Sequence, residues 1–214
     1  MHNAPSVLLF GHGYWGKNIA RNLYALGARG GGCEPDPGQV SVLAERYPDI
    51  PVYATVDEAL KECATPAVAI STPAATHAEL ALRCLTDGRD VFVEKPLALT
   101  VADGDALVDR ARQTGRILMV GHLLEYHPAV VELDRLVRTG ALGALQYLYS
   151  NRLNLGKFRR EENSLWSFAP HDISVILRLV GSMPKQVKAF GGAYLRSDVA
   201  DTTVTHLSFD GGVQ

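Results

Sequence analysis

The sequence predicts an α/β fold: a doubly wound parallel sheet, followed by an incomplete α+β domain with an open, mainly antiparallel sheet. Three observations carry this. Over the first half of the 214-residue chain, short apolar runs alternate with amphipathic helical patterns. That alternation marks a parallel sheet covered on both faces. A glycine-rich turn, Gly11-His12-Gly13-Tyr14-Trp15-Gly16, ends the first apolar run and opens the first helix. After Gly121 the pattern changes to helices interspersed with alternating strands, which places a boundary between domains at residues 1–122 and 123–214.

Each element has a local reason. Val7 to Phe10 is a strand stopped by Gly11, and Ile19, Leu23 and Leu26 recur at helical spacing before a capping Gly27. A strand weakened by Gly30-Gly31-Gly32 precedes Glu34, because each interior glycine costs about 0.5–1 kcal/mol relative to alanine. A helix over Val40–Tyr47 ends at Pro48, Val52 to Ala54 pairs as a strand, and Asp57 to Cys63 is a short helix. The series continues with strand Val68–Ser71, helix Thr76–Thr86 and strand Val91–Val93. Helix Val101–Gln113 and strand Ile117–Val120 close it. The second part is predicted to hold a helix over Pro128–Arg138 and a strand over Leu145–Leu153. A basic loop, a helix over Pro170–Val180 and strands at Val187–Leu195 and Thr202–Phe209 follow. Asp210-Gly211-Gly212 is a hairpin signal with only Val213 and Gln214 after it, so a missing C-terminal part is expected.

Composition narrows the function. Hydrophobic content of 47% and charged content of 21% suit a soluble globular protein, and a net charge of −2 gives no pull towards nucleic acid or an anionic membrane. Cys33, Cys63 and Cys84 are odd in number and lack metal-ligand spacing, so no metal site and a reducing compartment are expected. The opening MHNAPSVLLFGHG has a short apolar run and no basic leader, which predicts cytoplasmic residence.

The motifs carry the chemistry. In G-x-G-x-x-G the glycines allow a tight turn, close approach of backbone to a pyrophosphate, and close helix–strand packing. The helix behind it offers N–H groups and a positive dipole end to phosphates. Gly11, Gly13, Tyr14, Trp15 and Gly16 are therefore candidate dinucleotide contacts. Glu34 lies 18 residues past Gly16, at the end of the second strand. There a carboxylate accepts from a ribose 2′-hydroxyl and repels a 2′-phosphate, which favours NAD over NADP. Asp36 is a competing acid, and Glu34 is otherwise a turn residue of EPDPG. Ser71, Thr72 and Pro73 end another strand, with His77 at the next helix start. They are candidate cofactor contacts or a capping loop. Glu94, Lys95 and Pro96 stop the strand Val91–Val93 abruptly. Proline restrains the residue before it, which fixes Lys95 at the sheet's carboxyl edge; otherwise it is a solvated lysine. In Pro170-His171-Asp172, His171 is placed at a helix start with its ring turned to the sheet edge, and an imidazole there suits proton removal from a hydroxyl.

The order GHGYWG, STP, EKP, each at a strand end, resembles the Gfo/Idh/MocA family of sugar-type oxidoreductases. The resemblance implies an N-terminal Rossmann domain binding NAD(P), and a C-terminal domain whose sheet covers the active site and often mediates homo-oligomers. It implies that Lys95 lies beside the nicotinamide and the substrate hydroxyl, with Glu94 and Pro96 fixing it, and that the Lys-Pro bond is often cis. It also gives His171 the acid/base role, although the aspartates many members carry nearby are Ser167 and Ser174 here. His122 and Tyr126 fall where the family contacts cofactor and substrate, whereas His127 reads as structural. The segment RLNLGKFRREENSLWSFAPHDIS resembles nucleotide-sugar enzymes such as UDP-N-acetyl-glucosaminuronate 3-dehydrogenases. Arg152, Lys157, Arg159 and Arg160 are then diphosphate contacts, and Asn154, Asn163, Trp166 and Asp172 sugar-pocket candidates. The same stretch is otherwise a solvated loop.

These readings predict an NAD-dependent oxidoreductase that oxidises a secondary hydroxyl, or reduces the ketone, of a sugar or nucleotide sugar, with His171 and Lys95 catalytic. The rivals are a non-catalytic NAD-binding module and an S-adenosylmethionine-dependent methyltransferase. The EKP and STP motifs argue against the latter.

Overall fold

The structure, a computed structural model, describes residues 6–153, 163–195 and 197–214. It divides into two compact units, Met1–Gly121 and His122–Gln214. In the first, β1 (Val7–Phe10), α1 (Gly16–Ala25), β2 (Gly31–Cys33), α2 (Pro37–Arg46), β3 (Val52–Tyr53) and α3 (Val56–Glu62) alternate. Then come β4 (Ala67–Ile70), α4 (His77–Thr86), β5 (Asp90–Val93), α5 (Val101–Thr114) and β6 (Leu118–Val120). All strand pairings are parallel in the order β3-β2-β1-β4-β5-β6, with the reversal between β1 and β4 that creates a ligand crevice at the carboxyl ends.

The two-residue period of the strands divides the core between the faces. Leu8, Phe10, Val68, Ile70, Val91 and Val93 pack with Leu60 of α3, Leu80, Ala81 and Leu85 of α4, and Leu107 of α5. The alternate residues Leu9 and Ala69, with Phe92, pack with Ala20 of α1 and with Leu43 and, just past α2, Tyr47. Burial on both faces explains why these strands read as unbroken apolar runs.

The glycine strand has a steric reason. A Cβ on Gly32 would lie 2.3 Å from Leu43 Cδ2, and one on Gly30 would lie 2.5 Å from the Val7 carbonyl. Leu43 of α2 crowds position 32, and the Val7 backbone of β1 crowds position 30, just before β2. Helix α2 starts at Pro37, three residues before the predicted Val40: Asp36 caps it, accepting from the N–H groups of Gly38 and Gln39, with proline in the first turn.

The second unit holds α6 (Pro128–Arg138), α7 (Ser164–Val180), β7 (Gln186–Gly192) and β8 (Thr202–Ser208). Strands β7 and β8 form an antiparallel pair. Asp210–Gly212 forms a turn closed by the Phe209 N–H donating to the Val213 carbonyl at 3.0 Å. Two expectations are corrected. Leu145–Leu153 forms no strand among the described residues, because only Leu148 and Gln146 meet a backbone partner, both at Gln214. Helix α7 starts six residues earlier than Pro170, capped by Asn163, whose side chain accepts from the Trp166 N–H at 3.0 Å. Pro170 sits inside it; having no N–H, it leaves the Trp166 carbonyl without its i+4 donor. No described helix is long and apolar enough to cross a membrane, and no cluster of ligands fit for a metal occurs among the described residues.

Candidate active site

Three sheet-edge motifs of the first unit are tied together. The glycine turn follows β1. Gly11 adopts φ +86°, and a Cβ on it would lie 2.8 Å from the Ser71 carbonyl. A Cβ on Gly16 would lie 2.2 Å from the Gly11 carbonyl. Both glycines are required by backbone closeness, whereas a Cβ on Gly13 meets nothing within 4 Å among the described residues. The turn is therefore closed on its protein side and open at Gly13, beside the first turn of α1. This fits a dinucleotide pyrophosphate resting on the α1 N-terminus. The Tyr14 side chain is exposed.

Glu34 is buried at the end of β2, and its carboxylate accepts from the His12 N–H at 2.7 Å and the Asp36 N–H at 3.1 Å. It anchors the glycine turn to β2. Asp36 is committed to its helix cap, which separates the two competing acids. His12 is buried in the same turn, and burial, followed by the positive charge of Lys17, holds its pKa below the usual histidine value.

At the end of β4, the Ser71 hydroxyl donates to the Gly11 carbonyl at 3.0 Å. The Thr76 hydroxyl lies 2.8 Å from both Thr72 Oγ1 and the Pro73 carbonyl. His77 departs from expectation: its ring is buried, with Nδ1 2.7 Å from the Pro96 carbonyl and Nε2 2.9 Å from the Thr72 carbonyl. Neither nitrogen is left for a ligand, so His77 is no direct cofactor contact.

At the end of β5, Lys95 precedes Pro96 across a cis peptide bond. Glu94 accepts from Trp15 Nε1 at 2.6 Å and from the Lys95 N–H at 3.3 Å. Burial raises its pKa, opposed first by the Trp15 hydrogen bond. The Glu94 carboxylate packs so closely on Gly121 that a Cβ there would lie 2.9 Å from it. Gly121 and the Trp15–Glu94 contact are features that motif spacing does not single out. The only sequence signal for Gly121 is its place directly after the last parallel strand.

The second unit carries the remaining candidates. His171 lies in the third turn of α7 and does not start a helix. Ser167, His171 and Ser174 share one face at i, i+4 and i+7, and the Ser174 hydroxyl donates to the His171 carbonyl at 3.0 Å. Asp172 spends both oxygens on protein partners, Arg152 Nε at 2.6 Å and the Ser150 hydroxyl at 2.7 Å. Arg152 and Asp172 are thus each other's partners, and Asn163 is occupied as a cap. Trp166 and Tyr126 are exposed. His122 is half-buried, and desolvation lowers its pKa. His127 caps α6 by accepting from the Ala129 N–H. Asn154, Lys157, Arg159 and Arg160 lie outside the described residues.

Residues 6–122 match the sequence profile of the Gfo/Idh/MocA oxidoreductase family with an NAD-binding Rossmann fold. UDP-N-acetylglucosamine 3-dehydrogenase of Acidithiobacillus ferrooxidans is 32% identical over 161 residues, covering 75% of this chain and 49% of that protein. A structure of the enzyme so named from the same organism superposes with a TM-score of 0.86 at 28% identity, covering 97% of this chain and 66% of that one. GenD2 from gentamicin A biosynthesis, solved in complex with NAD, gives 0.85 at 26% identity, covering 100% and 65%. The chain spans about half the length of the curated relatives it matches, 49% of the first. With the glycine turn, the STP and EKP strand ends and the sheet order in place, the chain belongs to the Gfo/Idh/MocA family of NAD-binding oxidoreductases.

Proposed function

We propose that this chain carries the cofactor domain, and part of the substrate domain, of an NAD-dependent dehydrogenase for a secondary sugar hydroxyl. The substrate class is a nucleotide sugar such as a UDP-N-acetylhexosaminuronate, oxidised at C3. The observation that carries the proposal is the cross-linked sheet edge. Ser71 ties STP to the glycine turn, and Trp15 ties that turn to the residue before Lys95. A lysine so held is positioned rather than loosely solvated.

When bound, NAD supplies the hydride acceptor. The protein's part is position and charge. Gly13 and the α1 N-terminus receive the pyrophosphate, and Glu34 receives the adenosine ribose. Lys95 holds the substrate oxygen, stabilising negative charge that develops as its proton departs. His171 takes that proton, a role an imidazole suits as general base. Orientation of this kind contributes the larger share of rate in a reaction between two carbons. The 32% identity with a protein named UDP-N-acetylglucosamine 3-dehydrogenase supports the nucleotide-sugar class. A homo-oligomer built through the second unit's sheet belongs to the same proposal.

Titration of the 214-residue chain with NADH and NADPH, followed by quenching of tryptophan emission, tests the cofactor half. The expected outcome is saturation by NADH with clearly weaker NADPH. UDP-sugar-dependent NADH formation tests the rest, and Lys95→Ala should abolish most turnover while NADH affinity stays nearly intact. Retained turnover in that variant removes Lys95 from the mechanism. The exposed strands β7 and β8 favour one second reading, an NAD-binding module without catalysis. It predicts cofactor binding with no sugar-dependent reduction.

A further inference from the structure

His77 has no part in the chemistry above, yet it occupies a telling place. It is the first residue of α4, with 1% of its surface exposed. Its two ring nitrogens face two carbonyl oxygens, of Thr72 at 2.9 Å and of Pro96 at 2.7 Å. A carbonyl oxygen only accepts, so each contact is satisfied only if the nitrogen donates. A neutral imidazole has one N–H and an imidazolium has two. The carbonyls belong to different motifs: Thr72 is the centre of STP, and Pro96 directly follows Lys95.

Lys95 therefore has an anchor on each side. Before it, the Glu94 carboxylate is fixed by Trp15 Nε1. After it, the Pro96 carbonyl is fixed by His77. The first anchor lies among partly exposed groups, whereas the second comes from a ring that is itself buried, where an unmade hydrogen bond is costly. We propose that His77 is a positioning residue, which sets the place of Lys95 by donating from both ring nitrogens to the carbonyls of Thr72 and Pro96. This rests on the role given to Lys95, but the place of the lysine can be measured without any substrate.

The test is competitive acylation of the intact chain with an N-hydroxysuccinimide ester, read as the labelling ratio of Lys95 to Lys61 by peptide mass spectrometry. Lys61 lies on α3 and is an internal reference. His77→Phe fills the site but donates nothing, and is expected to change the ratio at least threefold while thermal unfolding remains cooperative. His77→Gln carries an amide with two N–H groups and is expected to return the ratio most of the way to wild type. A folded His77→Phe variant with the wild-type ratio overturns the proposal, as does a glutamine variant that restores nothing. Should His77→Phe fail to fold, the wild-type chain with 15N-labelled histidine decides. Two exchange-protected ring N–H signals from His77 support the double donor, and a single one overturns it. Neither readout involves NAD or sugar. A chain that passes both but gives no sugar-dependent reduction overturns the dehydrogenase reading and leaves the placement of Lys95 intact.

Discussion

The two units of this chain differ in what holds their elements. In the first, each central strand is covered on both faces, and the residues of β1, β4 and β5 are mostly buried. In the second, β7 is exposed from Gln186 to Gly191, and among its described residues the buried apolar side chains are Leu179 and Phe209. Local signals are equally good in both. Asp36 and Asn163 each cap a helix through a side-chain oxygen, and α5 and α7 both end at a left-handed glycine. The comparison teaches that turns, caps and periodicity specify elements, while removal of apolar area from water stabilises them.

The largest expected effect tests that contrast directly. Leu85→Ala, at a fully buried site of α4, should cost about 2–5 kcal/mol. Phe190→Ala, with 71% of the side chain exposed on β7, should stay within about 0.5 kcal/mol. Each unit has one tryptophan, Trp15 or Trp166. Urea titrations in Trp15→Phe and Trp166→Phe backgrounds would follow the units separately. Similar losses at the two sites would break the comparison.

The next effect is smaller and should be the same in both units. Asp36→Ala and Asn163→Ala each remove a cap worth about 1 kcal/mol. The amides that lose an acceptor, Gly38 and Gln39 in one case and Trp166 in the other, should exchange faster by roughly fivefold at 1 kcal/mol. If the cap in the second unit had no effect, α7 would be held by something other than its own ends.

The smallest effect is set by pH. His12 in the first unit and His122 in the second both have pKa values lowered, chiefly by desolvation. The unfolded chain therefore takes up a proton first. Stability from each neutral imidazole is complete above the unfolded value of about 6.5 and is lost as pH falls towards the folded value. His12→Gln should flatten the fall between pH 7 and pH 5 as seen by Trp15, and His122→Gln should do so as seen by Trp166. Parallel slopes in variant and wild type would remove burial of these rings as the cause.

Much of the first unit is legible in sequence because its strands are short apolar runs stopped by residues a strand does not tolerate, as at Gly11, Pro73 and Pro96. The order GHGYWG, STP, EKP then marks the carboxyl edge. Side-chain traffic across that edge is not legible. Nothing in the spacing says that Trp15 reaches Glu94, 79 residues away, or that His77 turns inward to two carbonyls. The start of α7 is hidden in the sequence for a different reason. Proline is a common first helical residue, so Pro170 reads as a start, while the Asn163 cap lies seven residues upstream in a polar run that resembles loop. Leu145–Leu153 alternates as a strand does, but alternation specifies a face and not a neighbour, and among the described residues only Gln214 gives it a backbone partner.

The contact between Gly32 and Leu43 has a consequence for descent. The methyl of Leu43 stands 2.3 Å from where a Cβ of residue 32 would be, so the two positions share one fixed volume. In a lineage of such chains, a side chain enters position 32 only where the Leu43 side chain turns aside or position 43 has shrunk. Substitutions at the two positions are thereby coupled, even though neither residue belongs to the glycine turn, STP or EKP.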